Sequence, residues 1–230
     1  MKPLVLCILL TGNIGFAFAD ETPPASDTTL STDRPGILYG TTIVPTGHVQ
    51  LEAGLPTWQR SDFDGARDTL VSTPIYLRYG VSESFEWQIA DSPYNHQTID
   101  SSIEHTSMTG AGDLQLGAKV LLHSGQVRGP TIVLVGYATL PTGAKAFTGG
   151  RPGYNLNLVS GWNLTGSTNI SAMLSYSRTS SPDDRDADTG IVAVNLAHSF
   201  NARLAGYAEA GYFPGFSNAA DTALAGAGVT

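Results

Sequence analysis

The stretch GAGDLQLGAKVLLHSGQVRGPTIVLVGYATLPTG, residues 110–143, decides the fold class because apolar residues recur in it at every second position. The first run places apolar residues at one parity, namely Leu114, Leu116, Ala118, Val120 and Leu122. Polar or small residues, among them Gln115 and Lys119, take the alternate positions, and the pattern resumes from Ile132 to Leu140. A period of two is typical of a β-strand with two unlike faces. The apolar face must then contact either a second sheet or lipid.

Similar runs continue along the chain, whereas no segment keeps the 3.6-residue period of an amphipathic helix. We predict ten strands, near residues 48–60, 69–81, 84–91, 111–123, 130–140, 153–164, 167–178, 188–199, 202–213 and 220–230. The sequence therefore predicts an all-β, antiparallel, up-and-down fold.

The connections between these strands alternate in length along the chain. Long connections are predicted at 61–68, 92–110, 141–153 and 179–188, and tight turns at 82–83, 165–167 and 200–201. Outer-membrane barrels have short periplasmic turns and long extracellular loops. A β-sandwich with Greek-key crossings has no reason to keep such an alternation. We therefore predict a transmembrane β-barrel with ten visible strands, whose apolar face contacts lipid.

The composition agrees with a surface that is only partly in water. Charged residues make up 14% of the 230 residues, against about 25% in ordinary soluble domains. The formal net charge is −8 and the sequence pI is about 4.9. No basic patch is present, so the sequence argues against a nucleic-acid partner.

The N-terminus has the three parts of a secretory signal peptide. Lys2 is a positive n-region, residues 4–10 are apolar, and the A-x-A site at 17–19 predicts cleavage between Ala19 and Asp20. Cys7, the only cysteine, lies in this segment. No later apolar run reaches the length of a transmembrane helix.

These signals divide the chain into three parts and predict its location. We expect a signal peptide at 1–19, a periplasmic leader or irregular segment at 20–47, and an outer-membrane β-barrel at 48–230. Its expected partners are outer-membrane lipid, a small-molecule solute and the barrel-assembly machinery.

Several short motifs occur in an order that resembles a known family. They are TDRPG (32–36), PTGHVQLE (45–52), LRYGV (77–81), FE (85–86), GDLQLGAK (112–119) and LPTG (140–143). The order resembles the bacterial outer-membrane family labelled "putative MetA-pathway of phenol degradation", often called transporters. The resemblance implies a barrel for uptake of small solutes, aromatic compounds among them. It also implies a terminal aromatic residue, which the final DTALAGAGVT lacks, so twelve strands with a further C-terminal hairpin are the alternative expectation.

Six charged residues fall on the predicted polar faces of the strands. These candidates for the lumen lining are Glu52, Arg78, Glu86, Lys119, Arg203 and Glu209. They could form a polar constriction that selects solutes. They could equally be salt-bridged residues that fill a narrow barrel. The sequence leaves both open.

No recognisable catalytic pattern accompanies these residues. The sequence contains neither an H-E-x-x-H metal motif, nor a G-x-S-x-G elbow, nor a phosphate-binding glycine loop. We therefore expect no enzyme activity, no metal and no cofactor. Passive passage of small solutes is the main functional expectation. The alternatives are an adhesive or structural surface barrel that binds partners through 92–110 and 179–188, and a soluble secreted β-sandwich.

Overall fold

The computed structural model describes residue 33 and residues 37–63, 65–125, 129–179, 186–216 and 221–229. All regular structure in this part of the chain is β-strand, and every strand pairing is antiparallel. None of the described segments is a helix long and apolar enough to cross a bilayer. The predicted signal peptide at 1–19 and its cleavage site lie outside the described residues. The expectation of an all-β antiparallel fold is confirmed.

The strands are numbered here in chain order. They are β1 (Val49–Ala53), β2 (Thr57–Phe63), β3 (Ala66–Ser72), β4 (Ile75–Ser82), β5 (Phe85–Asp91), β6 (Asn95–Asp100), β7 (His105–Gly110), β8 (Leu114–His123), β9 (Thr131–Leu140), β10 (Gly153–Asn163), β11 (Thr168–Thr179), β12 (Ala187–Asn201), β13 (Leu204–Phe213), β14 (Gly215–Phe216) and β15 (Thr222–Val229).

The main sheet is a meander of 11 strands. Its hydrogen-bonded order is β1-β4-β5-β8-β9-β10-β11-β12-β13-β15, and the short β14 pairs with β12. The ten strands of this path correspond to the ten predicted from the alternating pattern. β1 and β15 are the two end strands, and no ladder joins them in the described part of the chain.

A second sheet of four strands, in the order β2-β3-β6-β7, continues the first four strands of the main path. The runs at 48–60 and 69–81, each predicted as one strand, are therefore two strands each, and proline lies at both interruptions, Pro56 and Pro74. Proline has no N–H to donate to a ladder. The predicted connection 92–110 contains β6 and β7, whose residues are polar at most positions.

The main sheet curls strongly. The backbone N of Asp33 donates to Glu52 on β1 at 3.0 Å, and the backbone N of Ile37 donates to Glu209 on β13 at 2.9 Å. Four residues of chain span at most about 14 Å. β1 and β13 are eight ladder steps apart, and a flat sheet would separate them by about 38 Å. The two walls are therefore brought together around a shared interior.

The outer face of the main sheet carries exposed apolar side chains, whereas its inner face buries both polar and apolar ones. On β11, the apolar Leu174 is 59% exposed, whereas its polar neighbour Ser175 is 4% exposed. The ladder row through Leu174 is apolar from β5 to β15: Phe85, Val120, Leu134, Leu158, Leu174, Val192, Tyr212 and Ala223. The adjacent row faces the interior and is buried: Glu86, Lys119, Val135, Asn157 and Ser175.

Candidate functional site

A segment of irregular chain occupies the interior of the curled sheet. We call Asp33 and residues 37–44 the inner segment. It takes no part in either sheet. Its backbone is instead hydrogen-bonded to inward-facing side chains of the main sheet, whose strands form the wall of the interior. Val44 N donates to Glu86 at 2.6 Å, and Ile37 N donates to Glu209 at 2.9 Å.

Arg78 lies at the centre of a buried charged cluster. Its Nε donates to Oε1 of Glu86 at 2.7 Å, and its Nη1 donates to Oε1 of Glu52 at 2.9 Å. Its Nη2 donates both to Oε2 of Glu86 at 3.1 Å and to the carbonyl oxygen of Thr42 at 2.9 Å. The paired contacts with Glu86 have the fork geometry that favours arginine over lysine. Arg78 thus joins β4 to its two neighbouring strands and to the inner segment.

Lys119 connects the wall to the start of the inner segment. Its Nζ lies 2.8 Å from Oδ1 and 2.6 Å from Oδ2 of Asp33, and 3.4 Å from the carbonyl oxygen of Thr42. The side chain of Lys119 is 0% exposed and that of Asp33 is 3% exposed. A buried charge is tolerated only when it is paired and hydrogen-bonded. The pair therefore tethers the inner segment to β8.

The cluster has an excess of negative charge, because three carboxylates (Asp33, Glu52 and Glu86) face two cations (Arg78 and Lys119). Backbone N–H groups offset this excess. The amides of Asp33 itself, Gly40 and Val44 each donate to one of the carboxylates. Such charge-assisted bonds are stronger than neutral ones.

All buried side-chain nitrogen and oxygen atoms of the described residues have a hydrogen-bond partner. Gln88 extends the cluster by donating to Glu86 at 2.5 Å, and the hydroxyl of Tyr137 donates to Oε1 of Gln88. In this conformation the inner segment and the surrounding strands form one hydrogen-bonded unit.

The opposite side of the inner segment is apolar. Ile37, Leu38 and Tyr39 pack against a core whose members come mainly from β9, β10 and β11: Ala90, Val133, Val135, Tyr137, Val159 and Met173. The segment is thus held by ion pairs on one wall and by apolar contact on the other. Both walls are built from the inward-facing parity of their strands.

Four of the six predicted lumen residues come together in this cluster: Glu52, Arg78, Glu86 and Lys119. Glu209 also faces the interior, but from β13, where it accepts from Ile37. Arg203 is apart from them, because it is exposed in the turn between β12 and β13. The sequence predicted Arg203 on the inner face because residue 203 has the same parity as Glu209. In the structure β13 begins only at Leu204, so that parity does not apply to Arg203.

Sequence reasoning missed four residues of the cluster. Asp33 belongs to the TDRPG motif, where it is one of several acidic residues in a segment rich in proline and threonine, and nothing distinguished it from the others. Gln88 and Tyr137 lie on inward parities but carry no charge. The contact made by the carbonyl oxygen of Thr42 could not be predicted, because every residue type has a backbone carbonyl.

A cavity of about 400 Å³ remains inside the curled sheet, beside the inner segment. Asp33, Ile37, Leu38 and Tyr39 form one side of it. The rest is lined by Tyr76, Gln115, Tyr137, Thr139, Tyr154, Asn155, Asn157, Met173, Ser177, Arg178, Thr179 and Ile191. The cavity therefore touches β4 and every strand from β8 to β12.

The described residues contain no group of three or more His, Cys, Asp or Glu side chains placed to hold a metal ion. In the connection after β11, Asp186 accepts from Arg151 at 2.8 Å and from Arg178 at 2.8 Å. Asp188, near the start of β12, accepts from the hydroxyl of Tyr176 at 2.9 Å. These carboxylates are engaged in surface ion pairs and hydrogen bonds.

Gly80 on β4 lies directly against the end of the inner segment and the proline that follows it. A Cβ there would overlap the carbonyl oxygens of Val44 and Pro45. We expect Gly80→Ala to push the segment away from β4 and to lower the free energy of unfolding by about 1–3 kcal/mol, the usual cost of overpacking. Urea titration of the refolded protein measures this. Gly136→Ala is the control, because a Cβ there would meet its nearest atom, in Leu156, at an ordinary 3.4 Å. Equal stability of both variants would contradict the close approach.

The fold and the site define an antiparallel all-β protein whose sheet curls around a polar interior occupied by its own N-terminal segment. The chain belongs to the family described as "Putative MetA-pathway of phenol degradation", whose model matches residues 32–230. The resemblance inferred from the order of the motifs is thus confirmed. The description names a degradation pathway and no reaction. No curated protein matches the chain.

Proposed function

We propose that the protein is an outer-membrane β-barrel that provides a route for small solutes. The membrane location is supported by the main sheet, which buries charged side chains on its inner face and exposes apolar side chains on its outer face. Lys119 and Glu86 are 0% exposed, whereas large apolar side chains on the other face, such as Leu51 at 66% and Trp87 at 57%, are exposed. Soluble monomers rarely expose contiguous apolar patches of more than a few hundred Å².

Two features of the connections support this orientation in a membrane. The turns 83–84, 164–167 and 202–203 lie at one end of the main sheet, and the hairpins β2–β3 and β6–β7 lie at the other. Short turns mark the periplasmic end of such barrels and longer connections the extracellular end. The small sheet would therefore project outward from the cell. The proposal also requires the outer edges of β1 and β15 to be paired in lipid, where unsatisfied backbone groups are costly.

Passage of solutes would follow the interior. The cavity of about 400 Å³ supplies space beside the inner segment, and the charged cluster holds that segment in place. We propose that the segment acts as a plug, which limits passage while its bonds to Arg78 and Lys119 are intact. The family description agrees with a role in handling small compounds, since it refers to phenol degradation. Export, insertion by the barrel-assembly machinery and contact with lipid are parts of the same proposal.

The lipid-facing role of the apolar band has a matched test. Leu174 on β11 and Leu164 in the turn before it are almost equally exposed, at 59% and 58%. We expect Leu174→Arg to destabilise the folded protein by about 2–4 kcal/mol if the residue lies near the middle of the bilayer. Leu164→Arg should cost about 0–1 kcal/mol, because the turn lies near the interface.

Folding into lipid vesicles, followed by the mobility difference between boiled and unboiled samples, gives the folded fraction at each urea concentration. A soluble protein would tolerate both arginines alike, since the two leucines are equally accessible to water. Equal stability of the two variants, or recovery of the protein in the periplasm without detergent, would overturn the membrane proposal and favour a soluble β-sandwich.

A further inference from the structure

We propose that an alkali metal ion binds in the interior beside Glu209, held by side-chain oxygen atoms of β11, β12 and β13. The side chains that hold it belong neither to the charged cluster around Arg78 nor to the lining of the cavity. The site depends on the curl of the main sheet and on the course of the inner segment. It goes beyond the proposed function and does not rest on the passage of solutes.

Glu209 is a buried carboxylate without a cationic partner in the described part of the chain. It is 7% exposed, and its one hydrogen bond is accepted by Oε2 from the backbone N of Ile37, at 2.9 Å. The three carboxylates of the charged cluster, by contrast, each pair with Arg78 or Lys119. A buried charge without a counter-charge is costly. The folded protein is therefore stabilised by a cation that reaches this carboxylate.

Glu209 belongs to an inward-facing row of hydrogen-bonding side chains. The row crosses the ladders from Ser171 to Asn195, Glu209 and Gly226, each directly opposite the next. Opposite side chains have their Cβ atoms about 5 Å apart, so Asn195 and Glu209 can contact the same small ion. The amide of Asn195 has no hydrogen-bond partner among the described residues. The hydroxyl of Ser171 donates to Oδ1 of Asn169 at 2.9 Å, which leaves the lone pairs of its oxygen available.

The row is enclosed between the wall and the inner segment. Oε1 of Glu209 lies over Gly226 on β15, where a Cβ would come within 3.1 Å of it. On the inner side, Ile37 is bonded to Oε2, and Oγ1 of Thr41 lies 3.3 Å from the position of a Cβ on Gly161, the next residue of the row. Electrostatic attraction is stronger in such an enclosed place than in water.

The chemistry of these side chains selects the class of ion. Carboxylate, amide and hydroxyl oxygens are ligands for hard cations, whereas zinc and copper favour imidazole and thiolate. One carboxylate neutralises one positive charge, and the number of charged ligands sets the affinity for a divalent ion. The row therefore favours sodium or potassium over calcium or magnesium.

The unsubstituted protein gives the first test. Urea unfolding is compared in sodium chloride, potassium chloride and N-methyl-D-glucamine chloride at equal ionic strength, because the organic cation is too large for the site. Sodium or potassium should raise the ratio of folded to unfolded protein by about tenfold for each tenfold increase in the ion above its Kd. Equal stability in the three salts overturns the inference, and is the result expected if Glu209 carries a proton in place of an ion.

Two substitutions of the same kind give a matched pair. Glu209→Gln removes the charge but keeps an oxygen that can accept from Ile37, so the stabilisation by sodium or potassium should be lost. Glu83→Gln removes the same charge from the exposed turn between β4 and β5 and should leave that stabilisation unchanged. Stabilisation that survives in the Glu209→Gln variant would place the ion elsewhere and overturn the site.

A third variant should change the ion that the site prefers. Asn195→Asp puts a second carboxylate opposite Glu209, so calcium should stabilise this variant and not the unsubstituted protein. Stabilisation of the unsubstituted protein by calcium alone overturns the singly charged ion, and an Asn195→Asp variant that does not respond to calcium overturns Asn195 as a ligand. These titrations are made in phosphatidylcholine vesicles or, if the protein proves soluble, in buffer. Failure of membrane insertion therefore overturns the proposed function alone.

Discussion

Replacing Lys119 by methionine is expected to lower the free energy of unfolding by about 3–5 kcal/mol, the cost of removing one partner from a buried ion pair. Methionine keeps most of the length of the lysine side chain, so the effect reports the charge. Asp33 would lose both of its short contacts with Nζ, at 2.6 and 2.8 Å, while its carboxylate stays buried. The excess negative charge of the cluster would also rise by one.

The matched control is Lys145→Met, because Lys145 is exposed in the connection between β9 and β10. The same substitution there should change stability by no more than about 0.5 kcal/mol. Urea unfolding in lipid vesicles, followed by tryptophan fluorescence, compares the two variants. A loss at Lys119 no larger than at Lys145 would show that water reaches the cluster and screens it.

Adding Asp33→Asn to Lys119→Met should restore part of the stability, because the double variant no longer buries an unpaired carboxylate. The coupling between two residues in contact is usually about 0.5–3 kcal/mol. A double variant that loses the sum of the two single losses would mean that the two residues act independently. That result would contradict the attachment of the inner segment to β8 through the pair of Asp33 and Lys119.

The strands of the main sheet could be predicted from the sequence because apolar residues recur at alternate positions along them, as they do through Leu156, Leu158 and Leu174. Leu174 and Ser175 are neighbours on β11, and the apolar side chain is exposed on the outer face whereas the polar one is buried on the inner face. The same alternation placed Lys119 and Arg78 inside. It failed for Arg203, since a turn interrupts the parity and lets a charged side chain return to water.

The inner segment could not be predicted in this way. Asp33 reaches Lys119 across 86 positions of sequence, and no local period records such a contact. The backbone amides and carbonyls of the inner segment make many of its hydrogen bonds to the surrounding strands, and almost all residue types carry those groups. The hairpin β6–β7 was missed for another reason. Most of its residues are polar at both parities, so no apolar alternation marks the two strands in the sequence.

A disulfide between the inner segment and β10 is expected to abolish the passage of solutes and to restore it on reduction. A Cβ on Gly161 would lie 3.3 Å from both Oγ1 and Cγ2 of Thr41, so cysteines at these two positions are within reach of a disulfide. Cys7 is the only natural cysteine and lies in the predicted signal peptide. No other thiol of the mature chain is then expected to compete.

The physical reason for the expected block is that the inner segment is attached through side chains and is not part of the sheet. In the proposed function it would release from Arg78 and Lys119 as a unit, while the ladders on either side stay intact. A covalent bond to β10 prevents that release. The charged cluster remains in place, so a change in flux reports the movement of the segment and not a loss of folding.

Uptake of radiolabelled phenol into vesicles containing the protein measures the flux, before and after addition of dithiothreitol. The single variants Thr41→Cys and Gly161→Cys serve as controls, and both should respond to reductant as the unsubstituted protein does. Equal flux in the oxidised and reduced forms of the double variant would show that solutes pass without displacement of the segment. Absence of flux in every form, including the unsubstituted protein, would contradict passage itself. Only a block that dithiothreitol reverses would assign the inner segment the role of a plug, because a static filling of the lumen cannot respond to a single bond at its edge.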